Sequence, residues 1–139
     1  MLAQTDTRRS PHSRTFRIII ADDSELNRRV ATVFLETAGY DVIAVKNGRE
    51  LLDGIQASRY DLVLIDIVMP VMDGLEAAAK IRALPNGDAR IPIIGMSAAH
   101  DAPFNAPEID DFIVKPISQA SLLEIVAKWI RSGRESSGP

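Results

Sequence analysis

Short apolar runs alternate with segments of helical period along most of this chain. Phe16-Arg-Ile-Ile-Ile-Ala21 reads as a strand, and Leu26, Val30, Val33 and Phe34 then recur at helical spacing until Gly39 stops the helix. The alternation repeats with Asp41 to Val45 as a strand, then Leu51, Leu52 and Ile55 on a helix that gives out before Tyr60. Leu62-Val-Leu-Ile-Asp66 is a nearly continuous apolar run, as expected of a strand covered on both faces. Leu75, Ala78, Ile81 and Arg82 follow on a helix ended by Pro85-Asn-Gly87, ahead of a strand from Ile91 to Met96. After a proline-interrupted stretch come a strand from Asp111 to Val114 and a last helix from Ser118, carrying Leu122, Ile125, Val126, Trp129 and Ile130. Strands alternating with helices predict an α/β fold, a parallel sheet with right-handed crossovers and helices on both faces.

No internal repeat or low-complexity tract breaks this pattern between residues 16 and 132, which predicts one folded domain there. Residues 1–15 are polar and rich in Thr, Ser and Arg, and are expected to form a flexible N-terminal tail; residues 133–139 are expected to form a flexible C-terminal one. With 46% apolar residues in 139, the chain can build one core. Having no cysteine, it has no disulfide, thiolate or cysteine-ligated metal chemistry available, which suits a reducing cytosol. The net charge of -3, with basic residues scattered outside the N-terminal segment, lacks the footprint of a nucleic-acid binder. No apolar run approaches the length of a membrane span, and Arg8-Arg9 is not followed by the apolar stretch and cleavage site that export would need. A cytoplasmic protein without nucleic-acid or membrane partners is the expectation.

In an open parallel sheet, ligands bind outside the carboxyl ends of the strands. Here strand one ends in Asp22-Asp23, strand three in Asp66, strand four in Ser97, and strand five in Lys115 followed by Pro116. Singly, each has an ordinary explanation: an Asp can cap the next helix, a Ser can serve a turn, a Lys can be a solvated charge. Five coincidences at one sheet edge point instead to a site. Packed carboxylates repel, and proteins relieve this by protonating one or by binding a cation. Aspartate oxygens without His or Cys suit a hard ion such as Mg²⁺, which keeps coordination positions for a phosphate. Lys115 and the Ser97 hydroxyl add the charge pairing and hydrogen bonding that phosphoryl transfer requires, and a carboxylate can be the nucleophile, giving an aspartyl phosphate.

Three runs carry a family likeness: Ile19-Ile-Ala-Asp-Asp-Ser-Glu-Leu-Asn27, Asp61-Leu-Val-Leu-Ile-Asp66-Ile-Val-Met-Pro-Val-Met-Asp-Gly74, and Phe112-Ile-Val-Lys-Pro116. In this order and spacing they resemble the response-regulator receiver family of two-component signalling, over about residues 16–131. The resemblance implies a flavodoxin-like, doubly wound five-stranded sheet in order 2-1-3-4-5, which sets strands one and three side by side. It implies Asp66 as phosphoacceptor, charged from the phosphohistidine of a histidine kinase or histidine phosphotransfer protein, and switching the binding of a downstream target. Asp23 would ligate Mg²⁺ directly, Asp22 largely through water, Asp66 by its carboxylate and Val68 by its backbone carbonyl. Ser97 matches the switch hydroxyl, and Phe112 the aromatic coupled to it, although Phe112 also reads as an ordinary core strand residue. Lys115-Pro116 resembles a pair whose cis peptide aims the lysine, and Asp73-Gly74 looks structural, capping the third helix.

The chain also departs from the family. Ala98 to Asp111 holds Pro103 and Pro107 where the family places its fourth helix, and a helix-interior proline costs ~3 kcal/mol, so that helix is expected to be missing or cut to about a turn. The family's usual recognition surface would then be incomplete, and switching would proceed as an order–disorder change of the proline-rich loop. Val68 and Ala99 occupy positions where other members help water approach; neither can activate it, which predicts slow hydrolysis of the phosphoryl group. The segment after Gly133 is too short for an output domain, so a stand-alone receiver or one separated from a hybrid kinase is expected, with Glu25-Leu-Asn27 favouring the hybrid-kinase type. Such a domain is no enzyme beyond its own phosphorylation and dephosphorylation. Among rivals, a haloacid-dehalogenase-type phosphatase would want a second Asp where Val68 stands, and a pseudo-receiver binding partners without phosphorylation would usually lack an acidic or lysine position. Trp129 reads equally as core or interface.

Overall fold

The computed structural model describes residues 15–69, 71–85, 90–98 and 106–136. Five parallel strands, β1 (Arg17–Ala21), β2 (Asp41–Val45), β3 (Leu62–Asp66), β4 (Ile93–Ser97) and β5 (Asp111–Val114), lie in the order β2-β1-β3-β4-β5. Four helices alternate with them among the described residues: α1 (Glu25–Thr37), α2 (Gly48–Ala57), α3 (Gly74–Arg82) and α4 (Gln119–Ser136). Every residue of β3 and β4 is buried, because helices cover both faces of the sheet. On one face Ile19, Val63, Ile65 and Ile93 pack with Leu51 and Ile55 of α2 and Ala77, Ala78 and Ile81 of α3. On the other, Ile18, Ile20, Leu64 and Ile94 pack with Ala31 and Leu35 of α1 and Leu122, Val126 and Ile130 of α4.

The helices begin where their polar caps satisfy free N–H groups. The side chains of Ser24, Asn47 and Asp73 accept from the N–H groups of Asn27, Glu50 and Glu76, three residues on, and Ser118 accepts likewise from Ser121. The ordinary capping explanation for Asp22 and Asp23 therefore falls away, since Ser24 caps α1. Gly39 ends α1 in a left-handed conformation (φ 98°), with its own N–H on the Glu36 carbonyl and that of Tyr40 on the Leu35 carbonyl.

Three expectations need correction. The periodic residues Leu26, Val30 and Val33 of α1 face outward, at 69, 37 and 59% exposure, and the buried stripe runs through Ala31 and Leu35 with Phe34 partly covered. β4 begins at Ile93 rather than Ile91, because Pro92 has no N–H to give a ladder and contributes only its carbonyl, to Val63. The backbone of α4 continues through Gly133 to Ser136, since an interior glycine costs a helix only about 1 kcal/mol and does not stop it. Residues 1–14, nearly all of the expected N-terminal tail, and residues 137–139 of the C-terminal one lie outside the described residues. The expected loss of the family's fourth helix falls chiefly on residues 99–105, also outside them; the described flanks, Ala98 and residues 106–110, carry no helix, with a turn at Pro107-Glu108.

At the amino edge of the sheet Arg17 is tied down. Its backbone N–H donates to Asp61 Oδ2 (2.8 Å), its guanidinium pairs with Asp41 (3.2 Å), and it stacks 4.6 Å over the Tyr60 ring.

Candidate functional site

Strand register assembles the carboxyl edge. Ala21 pairs with Ile65, so Asp22 emerges beside Asp66; Asp66 pairs with Met96, putting Ser97 one step further on, and Ser97 pairs with Val114, so Lys115 follows at the same edge. Carboxylate oxygens of Asp22, Asp23 and Asp66 lie within 4.8 Å of one another. Asp22 and Asp66 are buried at 1 and 5% exposure, and Asp23 is exposed. The Lys115 ammonium reaches in to 3.1 Å from Asp66 Oδ2 and 3.4 Å from Asp22 Oδ2. The Lys115–Pro116 peptide is cis.

The other oxygens of Asp66 and Asp22 are held by main chain. Asp66 Oδ1 accepts from the Val68 N–H (3.2 Å) and Asp22 Oδ1 from the Ser24 N–H (2.9 Å). Arg28, one turn into α1, donates to the Asp22 carbonyl (2.9 Å). Sequence reasoning passed over Arg28, and a cation six residues after Asp22, on the helix that follows it, was the only signal. Two buried polar atoms have no hydrogen-bond partner among the described residues, Asp22 Oδ2 and Ser97 Oγ. For Asp22 Oδ2 the lysine contact at 3.4 Å is a charge pairing too long for a good hydrogen bond. Leaving such a group buried and unpartnered costs about 1–3 kcal/mol, which a ligand accepting from the hydroxyl and neutralising the carboxylate would recover.

Burial pushes the Asp66 carboxyl above its ordinary range and the Asp22 charge pushes it further; Lys115 and the Val68 N–H oppose this without overcoming it. One ammonium is thus too little for three carboxylates, and the donor set, all oxygen, fits a hard divalent cation. The Val68 side chain is 65% exposed. Phe112 pairs with Gly95, two residues short of Ser97, and its ring lies where a Cβ on Gly95 would come within 2.9 Å, beside Ile67. The ring is half-buried against the core, in keeping with its plainer reading as a strand residue. Ala99 lies outside the described residues.

A doubly wound sheet of this order with acids, a lysine and a hydroxyl at its carboxyl edge defines the CheY-like class of flavodoxin folds. Residues 18–127 match the response regulator receiver domain family, and the chain belongs to that family of two-component signalling modules. It is 37% identical over 126 residues to the CAI-1 autoinducer sensor kinase/phosphatase CqsS of Vibrio cholerae, a match covering 88% of this chain and 18% of that protein. With the sensor protein GacS of Pseudomonas syringae it shares 34% identity over 123 residues, covering 84% of this chain and 14% of that one. The chain therefore spans less than a fifth of the length of these relatives. Among solved structures it is similar to the receiver domain of sensor histidine kinase PA1611 from Pseudomonas aeruginosa, which has a magnesium ion coordinated in its active-site cleft (31% identity, TM-score 0.77, 85% of this chain and 99% of that one). It is likewise similar to the chemotaxis response regulator CheY4 of Vibrio cholerae (27% identity, TM-score 0.75, 84% of this chain and 99% of that one).

Proposed function

We propose that this chain accepts a phosphoryl group on Asp66 from the phosphohistidine of a histidine kinase or histidine phosphotransfer protein, in a reaction that needs Mg²⁺. The observation that carries the reading is the Asp66 carboxylate, buried at the end of β3, 3.1 Å from the Lys115 ammonium and within 4.8 Å of two further carboxylates. An Asp66 oxygen attacks phosphorus, the P–N bond to imidazole breaks, and its electron pair leaves with the imidazole nitrogen. The carboxylates of Asp22, Asp23 and Asp66 and the carbonyl of Val68 would hold Mg²⁺, whose chemistry is to neutralise the phosphoryl oxygens. Lys115 pairs with one phosphoryl oxygen and the Ser97 hydroxyl donates to another, relieving its buried, unpartnered state. Phe112 follows the Ser97 shift and alters the surface that a target protein meets.

The sensor kinases among the relatives support a phosphorelay partner of this kind. No helix among the described residues is long and apolar enough to cross a membrane. On this reading the chain catalyses only its own phosphorylation and dephosphorylation. Val68, with no group to activate water, makes the acyl phosphate long-lived.

Intact mass after incubation with Mg²⁺ and acetyl phosphate, beside an Asp66→Asn control, tests the proposal. One phosphoryl adduct on the parent, none on the control, and decay far slower than seconds are expected. A folded, Mg²⁺-binding parent that takes no adduct would turn the reading to a pseudo-receiver, whose acidic edge serves partner binding alone.

A further inference from the structure

Gly48 is the first residue of α2, an element that supplies no side chain to the acidic edge, and it is buried. Among the described glycines only Gly39 has a left-handed φ, so backbone freedom does not explain glycine at position 48. Nor does helix preference, since glycine is poorer than alanine in a helix. Space does explain it. A Cβ on Gly48 would lie 2.7 Å from the Met72 carbonyl oxygen and 3.1 Å from the Cβ atoms of Met72 and Ala77, whereas real Cβ atoms essentially never come within 3.0 Å of another heavy atom.

Met72 belongs to the segment that leaves Asp66 and returns as α3. Two residues on, Gly74 makes the same kind of approach back onto the start of the segment, since a Cβ there would run into the Asp66 carbonyl oxygen and lie 2.9 Å from Ile67 Cα. The Gly74 N–H also donates to the Ile67 carbonyl (3.0 Å). Two glycines, each opening a helix, thus pin the segment that carries Val68. Val68 matters to the site twice, through the N–H it gives Asp66 Oδ1 and, on the proposed function, through the carbonyl that would ligate Mg²⁺.

If a side chain stood at position 48, either α2 or the segment would have to give. α2 is anchored by Leu51 and Ile55, at 0 and 2% exposure, by its Asn47 cap, and by Glu50 Oε1 accepting from the Lys46 N–H (3.0 Å). The segment is the softer partner, with Val68 and Val71 at 65 and 84% exposure. We infer that Gly48 is a positioning residue of the Asp66 site, its missing side chain letting α2 press on the Met72 carbonyl and so fix the segment that presents Val68. A constellation of this kind must hold to about 0.5 Å, so displacement of the Met72 backbone is felt at the site.

The inference rests on the reading of Asp66 as a Mg²⁺-dependent phosphoacceptor, and its test compares Gly48→Ala with Gly54→Ala in the full chain. Gly54 lies on the same helix, but a Cβ there meets only the flexible end of the Ile19 side chain, at 2.8 Å. Calorimetric Mg²⁺ affinity, the rate of adduct formation with acetyl phosphate, and the urea midpoint are read for each. Gly48→Ala should weaken Mg²⁺ binding by about fivefold or more and slow adduct formation, as small displacements of reacting groups do. Gly54→Ala should keep both at parent values whatever its urea midpoint. Parent-like Mg²⁺ affinity in Gly48→Ala, or an equal loss in Gly54→Ala, overturns the inference. Should Gly48→Ala not fold, Ala77→Gly removes a Cβ at the same close approach and so loosens it without adding atoms, and parent-like affinity there counts equally against it. A parent that forms no adduct defeats the phosphoacceptor reading instead, leaving Gly48 to be judged on Mg²⁺ affinity alone.

Discussion

Val71 holds a left-handed backbone (φ 71°) with a β-branched side chain that is 84% exposed, so the strain is not repaid by burial of that side chain. A non-glycine residue in such a region costs on the order of 1–3 kcal/mol, and asparagine tolerates it better. Val71→Asn should therefore raise stability by up to about 1 kcal/mol in urea unfolding, with m unchanged. At this scale the residues that meet at the carboxyl edge were legible because each follows directly on an apolar strand run; Asp22, Asp66, Ser97 and Lys115 announce themselves by place as much as by type. Residues that act through space were not. Gly48 and Arg28 carry no pattern of their own, and their importance exists only once α2 meets Met72 and α1 meets the Asp22 carbonyl.

β5 and α4 are joined by a polar tie. The Trp129 indole N–H donates to Asp111 Oδ2 (2.8 Å), the Phe112 N–H donates to Oδ1 (2.9 Å), and the Lys128 ammonium lies 3.5 Å away and over the indole ring. Trp129 is thus half-buried packing and hydrogen bonding together. Burial pushes Asp111 up, but these donors outweigh it and hold the carboxyl below its ordinary value of 3.8. A carboxylate depressed by folding contributes stability that is present above its unfolded value and lost as pH falls through the folded one. Asp111→Asn should accordingly lose less stability than the parent as pH drops below 3.8, and Trp129→Phe should cost about 1 kcal/mol at neutral pH, both read by urea unfolding. Element order and sheet class were legible from alternating periods, and the strands held to within two residues. The buried face of α1 was not, since Leu26, Val30 and Val33 form one apolar stripe and Ala31, Phe34 and Leu35 another. Only packing on β2 and α4 chooses between them, and it takes the stripe whose small Ala31 allows close approach.

Across the whole molecule, one edge of the sheet holds the mutually repelling carboxylates and the other holds the Arg17 tie. A cation bound only by the folded chain stabilises it by mass action, about 1.4 kcal/mol at ten times its Kd. Adding Mg²⁺ should raise the urea midpoint of the parent, and Asp23→Asn should show a smaller rise. The separation of the two edges also bears on connection to other modules. Any chain joined ahead of Thr15 arrives at the amino edge, and the five residues of β1 set it about 17 Å from the level of Asp66. A phosphodonor tethered by that route needs at least about five extended residues of slack before it can reach its acceptor. The fourteen residues that precede Thr15 exceed that number, so by length a donor joined ahead of them would reach Asp66 within one molecule, at a rate that does not follow concentration.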